Sequence, residues 1–126
     1  MKKLLKLSAL LLITSLMTTG CGTSPIYNVQ YSKIDNQKST AGVYRAIKEA
    51  GQSLGWKITN VKSGVAEGKL YLRTHVAVVR INYSRTGYSI NYVRSKNLKY
   101  DAETKKIHSN YNGWIQNLEK AIDVRL

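Results

Sequence analysis

Four segments of alternating apolar and polar residues, joined by very short connections, occupy the middle of this chain. They cover 56–62, 65–73, 76–84 and 88–94 and are rich in Val, Ile, Tyr and Thr. Such alternation is typical of half-buried β-strands. A parallel pair needs a crossover of about a dozen residues or more, so the short connections allow only antiparallel pairing. The sequence therefore predicts a four-stranded antiparallel meander.

The alternation also assigns each side chain to one face of the predicted sheet, because successive residues of a strand point to opposite sides. The apolar face would carry Trp56, Ile58, Leu70, Leu72, Ala77, Val79, Ile81, Tyr83, Tyr88, Ile90 and Tyr92. The other face would carry Lys57, Lys69, Tyr71, Arg73, Arg80, Asn82, Ser89 and Asn91, with Val76, Val78 and Val93 among them. We expect the first face to be buried and the second to meet solvent.

Two amphipathic helices flank the strands. Apolar residues at helical spacing predict a first helix over about 40–54, with Ser39 or Thr40 as its N-cap and Gly55 as its stop. A second apolar stripe runs from Ile107 to Ile122, with Asp101 or Thr104 as candidate caps. Gly113 lies within it, and we expect this glycine to allow close approach to the sheet. The predicted fold is an α+β two-layer sandwich of order α-β-β-β-β-α, with both helices on one face of the meander.

The first twenty residues have the layout of a secretory signal peptide. Lys2, Lys3 and Lys6 precede an apolar stretch that ends in small residues, and the only cysteine of the chain, Cys21, follows. The uninterrupted apolar part is far shorter than the roughly 20 residues of a membrane-spanning helix. From these residues alone, Cys21 is either a free thiol behind an ordinary signal peptide or a modified N-terminus.

The string Thr18-Thr19-Gly20-Cys21 resembles the lipobox of bacterial lipoproteins. The resemblance implies cleavage before Cys21, alkylation of its thiol by a diacylglyceryl group, and membrane attachment through this lipid anchor. In Gram-negative lipoproteins an aspartate after the cysteine commonly retains the protein in the inner membrane. Because Gly22 stands there, the resemblance implies a cell-envelope location, at the outer membrane facing the periplasm in a Gram-negative organism.

This interpretation divides the chain into a signal peptide (1–20), a lipidated N-terminus with a tether (21–38), and one α+β domain (39–126). A short apolar patch at 26–31 would either add a strand to a sheet edge or cover that edge, but we interpret 22–38 mainly as a tether. Removing three signal-peptide lysines from 20 Lys and Arg leaves 17 against 7 Asp and Glu, a net charge of +10. The mature chain is therefore strongly basic.

Basic residues and tyrosines interleave without any acidic residue between Gly68 and Tyr100. The candidate anion-binding or partner-binding residues in this stretch are Lys69, Tyr71, Arg73 and Arg80. Such a surface suits nucleic acid in general, but export makes lipid headgroups, an anionic envelope polymer or an acidic protein the expected partners. The alternative is a solvated sheet face whose charge only keeps the protein soluble.

The string from Ser95 to Leu118, with the tyrosine-rich strand before it, resembles a pattern in small bacterial lipoproteins of unassigned activity. Within it, a candidate polar recess for a small ligand or partner comprises Ser95, Asn97, His108, Tyr111 and Asn112. The alternative is that these residues cap and hydrogen-bond locally.

No motif for catalysis, metal binding or cofactor binding stands out. The two histidines lack cysteine or carboxylate neighbours at metal-ligand spacing, the acidic residues are scattered, and no Gly-rich phosphate loop or nucleophile elbow is present. We therefore expect a non-enzymatic envelope lipoprotein that binds an anionic envelope component or a protein partner, with no cofactor. The second hypothesis is an accessory or assembly subunit that docks into an envelope complex through apolar contacts. A small-ligand-binding or enzymatic domain ranks third.

Overall fold

The computed structural model describes residues 22–126. Their elements, in chain order, are β1 (Thr23–Pro25), β2 (Val29–Lys33), α1 (Thr40–Ser53), β3 (Trp56–Lys62), β4 (Val65–Leu72), β5 (His75–Tyr83), β6 (Gly87–Lys96), β7 (Lys106–His108) and α2 (Ser109–Asp123). The predicted signal peptide and the predicted lipidation site at Cys21 lie outside the described residues.

Strands β2 to β6 form one antiparallel sheet in the spatial order β2-β6-β5-β4-β3. The sheet face assigned as apolar packs with the buried stripes of α1 and α2 into a single core, which includes Ile47, Ile81, Ile90, Ile115 and Leu118. This confirms the α+β prediction and the predicted strand pairing of the meander. Leu72 departs from the predicted burial, since it is 43% exposed at the end of β4.

The sheet has five strands, and the prediction of a four-stranded meander missed one of them. Strand β2 pairs with the outer edge of β6, placing Val29 opposite Ile90 and Lys33 opposite Gly87. A separate two-stranded ladder joins β1 to β7. The predicted order α-β-β-β-β-α therefore lacks β1 and β2 before the first helix, and it lacks β7 before α2.

Residues 22–38 pack against the domain, which differs from the free tether that we expected. Val29 and Ile34 are buried, and Ile34 donates its backbone N–H to Thr86 O at 2.9 Å. The side chain of Asn28 accepts a hydrogen bond from the backbone N–H of Tyr92 at 3.0 Å. The segment reads as polar because several of its side chains bind backbone groups instead of contributing apolar surface.

A bulge near the end of β6 changes which side chains share a face. Val78 pairs with Arg94 and Val79 with Tyr92, so Val93 is the extra residue on β6. Strict alternation beyond Tyr92 would put Arg94 on the core face. The bulge instead places Arg94 opposite Val78, on the face that the helices leave uncovered.

Helix α1 begins where the sequence predicts. Ser39 is its N-cap, and the Ser39 hydroxyl accepts from the backbone N–H of Gly42 at 3.0 Å. Near the other end of the helix, Gly51 lies against β3. A Cβ atom added to Gly51 would overlap the Ile58 side chain, at 2.7 Å from its Cδ1 atom. A glycine is therefore what allows α1 to pack this closely on the sheet.

Helix α2 begins at Ser109, later than predicted, and its N-cap is His108. Neither Asp101 nor Thr104 caps it, since Asp101 instead accepts from the backbone N–H groups of Glu103 and Thr104 within the preceding loop. Ile107, which fits the helical stripe, belongs to β7 and is buried there. The expectation for Gly113 also fails, because a Cβ atom at this position would meet nothing within 4 Å.

The domain has two distinct ends along the strand direction. One end, here the Gly22 end, comprises the β4–β5 turn, loop 97–105, β7 and the first turn of α2. Hydrogen bonds link these parts: His75 to Asn97 O, His108 N to Leu98 O, and Ser109 N to Gly22 O. The opposite end, here the Leu126 end, comprises the turns at 63–64 and 84–86, segment 34–38, and the C-terminus.

Candidate interaction surfaces

The sheet face opposite the helices, here the open face, is lined mainly by cationic side chains. Antiparallel pairing places Lys57, Lys69, Val78 and Arg94 in one row across four strands. A neighbouring row contains Glu67 and Arg80, and a third pairs Tyr71 with Val76 and Val76 with Lys96. The register thus brings Lys57, Lys69, Arg80, Arg94 and Lys96 together on one side of the sheet.

Glu67 is the only acidic residue among these rows. Its Oε1 atom lies 3.5 Å from Lys69 Nζ, and Arg80 is its direct partner on β5. A half-buried ion pair at the surface, such as this one, contributes on the order of 1 kcal/mol. The remaining cations of the open face therefore have little local compensation, and the face can attract an anionic group.

Apolar surface lies between these charges. Tyr71 is 64% exposed, whereas Val78, in the row of Lys69 and Arg94, is only 2% exposed. Long basic side chains can cover apolar residues with their aliphatic stems while their charged heads stay in water. Tyr31, whose ring lies against Gly87 on the same face, is also largely exposed. The open face therefore offers charge at its surface and accessible aromatic rings.

The structure brings together three of the four predicted interaction residues, namely Lys69, Tyr71 and Arg80. Arg73 is not on the open face, because β4 ends at Leu72 and Arg73 lies in the following turn with φ of 56°. Sequence reasoning did not select Lys57, Arg94 or Lys96. Alternation placed Lys57 on this face, although we did not count it among the candidate interaction residues. Arg94 reaches this face only through the bulge, for which the sequence carries no clear signal.

The five residues of the predicted polar recess lie around the end of β6, β7 and the start of α2. Most of their polar groups are engaged locally: Ser95 with the Tyr92 hydroxyl at 2.8 Å, Asn97 with Thr74 Oγ1 at 2.6 Å, and His108 with the backbone N–H of Asn110 at 3.1 Å. These contacts fit the alternative interpretation, in which the residues cap and hydrogen-bond locally. The arrangement supports a structural role for Ser95, Asn97 and His108.

Asn112 fastens the N-terminal segment to α2. Its Oδ1 atom accepts from Tyr27 N at 2.9 Å, and its Nδ2 atom donates to Pro25 O at 2.8 Å and to Ser24 Oγ at 3.3 Å. One side chain therefore binds three residues that are distant in sequence. The amide group of Asn112 therefore holds β1 and the residues after it through hydrogen bonds.

Tyr111 is fully buried, and its hydroxyl has no hydrogen-bond partner among residues 22–126. Its ring meets that of Tyr92 edge-on, with centroids 5.8 Å apart. Burial raises the pKa of the Tyr111 hydroxyl, since the charged form would lose its hydration. Tyr111 therefore stays neutral and contributes mainly as a core side chain.

His75 and His108 meet near Trp114 at the Gly22 end. The ring centroids lie 6.4 Å apart for His75 and His108, and 6.3 Å apart for His75 and Trp114. The Nδ1 atom of His75 is 2.6 Å from the carbonyl oxygen of Asn97, so this nitrogen carries a proton. Within residues 22–126, no group of three or more His, Cys, Asp or Glu side chains is arranged to hold a metal ion.

No family model, curated protein or solved structure gives a significant match to this chain. In the part of the chain that the structure describes, neither helix has the length and apolar character needed to cross a bilayer.

The N-cap role of His108 gives a first testable expectation. Replacing His108 with alanine should lower the free energy of unfolding by about 1 kcal/mol, because the Asn110 N–H loses its acceptor. Replacing His108 with asparagine, a preferred N-cap residue, should preserve most of the stability. Urea denaturation of the three proteins measures the difference, and equal losses in both variants would show that the ring packing of His108 matters more than its cap.

Proposed function

We propose that this protein is a lipid-anchored, non-enzymatic component of a bacterial envelope, held at Cys21, whose open face binds an anionic envelope component or an acidic protein. The anchor is supported by the lipobox resemblance at Thr18 to Cys21. The binding role is supported by one observation above all: the helices leave one sheet face uncovered, and the register gathers Lys57, Lys69, Arg80, Arg94 and Lys96 on it.

The composition of the open face favours electrostatic recognition over apolar docking. Its strongly exposed aromatic rings, Tyr71 beside Val76 and Tyr31 against Gly87, lie near opposite ends of the face, with the rows of cationic side chains between them. A partner that docked through apolar contacts would have no continuous apolar patch on this face. Charge complementarity instead increases the association rate and selects the partner. The assembly-subunit hypothesis therefore ranks second.

Photocrosslinking from the open face tests this proposal in intact cells. A photoreactive phenylalanine derivative at position 71 replaces an exposed aromatic ring with another, so the fold should be retained. We expect it to capture a partner with acidic or phosphorylated groups. The same residue at Thr59, an exposed position on the edge strand β3, gives a comparison near the margin of the face.

Charge removal at the open face should weaken binding. We expect Lys69→Gln with Arg80→Gln to reduce the affinity for purified lipopolysaccharide, used as a polyanionic probe, by about tenfold, and the remaining binding to depend less on salt. The matched control is Arg45→Gln with Lys48→Gln, which removes the same charge from the exposed side of α1, on the other side of the sheet. Equal effects of the two pairs would indicate that only net charge matters and would contradict a role for the open face.

A further inference from the structure

We propose that the Gly22 end of the domain rests directly on a phospholipid surface that contains anionic headgroups. This inference depends on the lipid anchor of the proposed function, and it adds an orientation and a second contact surface. It is separate from the open face, which lies along the strands and not at their ends. Three features of the Gly22 end support it.

The first feature is that the chain is bound to the domain from the residue directly after the anchor position. Gly22 follows Cys21 directly, and consecutive Cα atoms are only about 3.8 Å apart. The Gly22 carbonyl oxygen accepts from Ser109 N at 2.6 Å and also from the Ser109 hydroxyl. The next residues, Thr23–Pro25, pair with β7. A lipid on Cys21 would therefore hold this end of the domain at the membrane surface.

The second feature is apolar surface at the same end. Leu54 is 39% exposed and Leu72 is 43% exposed. Leu54 and the half-buried Trp114 of α2 line a small recess, together with the buried side chains of Trp56 and Leu70. Tryptophan and leucine near a polar rim suit the interface between headgroups and acyl chains, where an amphipathic ring meets both environments.

The third feature is a set of cations at the same end of the domain. Arg73, Lys99, Lys105 and Lys106 are exposed, against Asp101 and Glu103 as the acidic residues of loop 97–105. Basic residues close to a bilayer are attracted to its anionic headgroups. Charge and apolar surface at one end, next to the anchor, are the combination that a membrane surface requires.

The loops that carry these cations have a defined backbone. Arg73, Asn97, Lys99 and Lys105 all have positive φ, between 53° and 58°, a conformation that is uncommon for residues other than glycine. The Asn97 side chain bonds to Thr74, and Asp101 pairs with Lys106 in an isolated bridge. Strained conformations of this kind persist only where the surroundings enforce them. The cations are thus presented from an ordered frame.

This orientation has a consequence for the open face. If the Gly22 end contacts the lipid, the strands of the sheet run away from the membrane, and the open face is at the side of the domain, not against the bilayer. Its cations then remain accessible to a partner at the side of the domain. The two surfaces can be occupied at the same time.

Position-specific quenching tests the orientation. Cys21 is the only natural cysteine, so a single introduced cysteine gives a unique labelling site once Cys21 carries its lipid. The lipidated protein with Ala102→Cys, at the Gly22 end, is compared with Ser63→Cys, at the Leu126 end. Each is labelled with a fluorophore and reconstituted in vesicles of phosphatidylcholine and phosphatidylglycerol that contain a headgroup spin label. We expect severalfold stronger quenching at position 102 than at position 63.

Charge variants and mass spectrometry separate the possible failures. The triple variant Lys99→Asn, Lys105→Asn and Lys106→Gln should lose much of the quenching at position 102, with asparagine chosen because it tolerates positive φ. The control variant Lys33→Gln, Lys38→Gln and Lys62→Gln should not. Equal quenching at both positions in a lipidated protein would overturn the orientation and leave the anchor intact. A mature protein without acyl groups would overturn the anchor itself.

Discussion

Replacing Asn112 with alanine is expected to lower the free energy of unfolding by about 2 kcal/mol, since a half-buried group left unpaired costs about 1–3 kcal/mol and the half-buried Tyr27 N–H loses its acceptor. The substitution removes the acceptor of Tyr27 N and the donor to Pro25 O. It also removes the contact with Ser24. Residues 22–27, which follow the proposed anchor at Cys21, would then be held mainly by the short β1–β7 ladder and by the hydrogen bonds from Ser109 to Gly22 O.

Asn117→Ala provides the matched control for this prediction, because Asn117 lies in the same helix and is exposed. A surface substitution of this kind should change stability by no more than about 0.5 kcal/mol. Urea denaturation gives the free energies, and hydrogen exchange at the amide of Tyr27 reports release of the segment directly. If the Tyr27 amide stays equally protected in Asn112→Ala, the side chain is not what holds residues 23–27.

The second large effect is expected from Gly51→Ala, with Gly113→Ala as its control. Both glycines lie within helices, where alanine gains about 1 kcal/mol of intrinsic helix propensity over glycine. At Gly113 a Cβ atom meets nothing within 4 Å, so we expect this gain to appear as added stability. At Gly51 the same atom overlaps Ile58, and overpacking of this kind costs about 1–3 kcal/mol. We expect a net loss of about 1 kcal/mol there, hence a difference of about 2 kcal/mol between the variants.

A double-mutant cycle identifies the cause of the loss at position 51. Ile58→Ala alone should be strongly destabilising, by about 2–5 kcal/mol, because it leaves a cavity in the core. Combined with Gly51→Ala, it also removes the atoms that the new methyl group would meet. The two changes together should therefore cost less than the sum of their separate effects. Strict additivity would show that the loss at position 51 does not come from contact between the new methyl group and Ile58.

The parts of the fold that were predictable from the sequence are those where a periodic pattern is itself the cause of the structure. Alternation identified the core face from Trp56 to Tyr92, and the helical stripe with Ser39 located α1. The beginning of α2 was misplaced because Ile107 fits a helical stripe by spacing although it is a strand residue. A buried side chain at helical spacing does not by itself distinguish a helix from a strand.

The N-terminal segment shows why the remaining features were not predictable. In β2 only Val29 is buried, so a five-residue strand carries no alternation that a sequence pattern could reveal. Its attachment depends on Asn28 and Asn112, whose partners lie more than sixty residues away in sequence. The bulge at Val93 likewise depends on the register with β5. Long-range side-chain to backbone hydrogen bonds leave no local signature.

The sheet order has a further consequence if the protein is held on a membrane among copies of itself, as we propose. Strands β2 and β3 are the two edges, and a free edge can recruit another strand and lead to aggregation. Each edge strand contains a register irregularity, and each ends in a lysine, at Lys33 and Lys62. Irregular, charged edges are poor templates for a new strand. Neighbouring copies would therefore contact each other through side chains, and their sheets would not pair edge to edge into a continuous sheet.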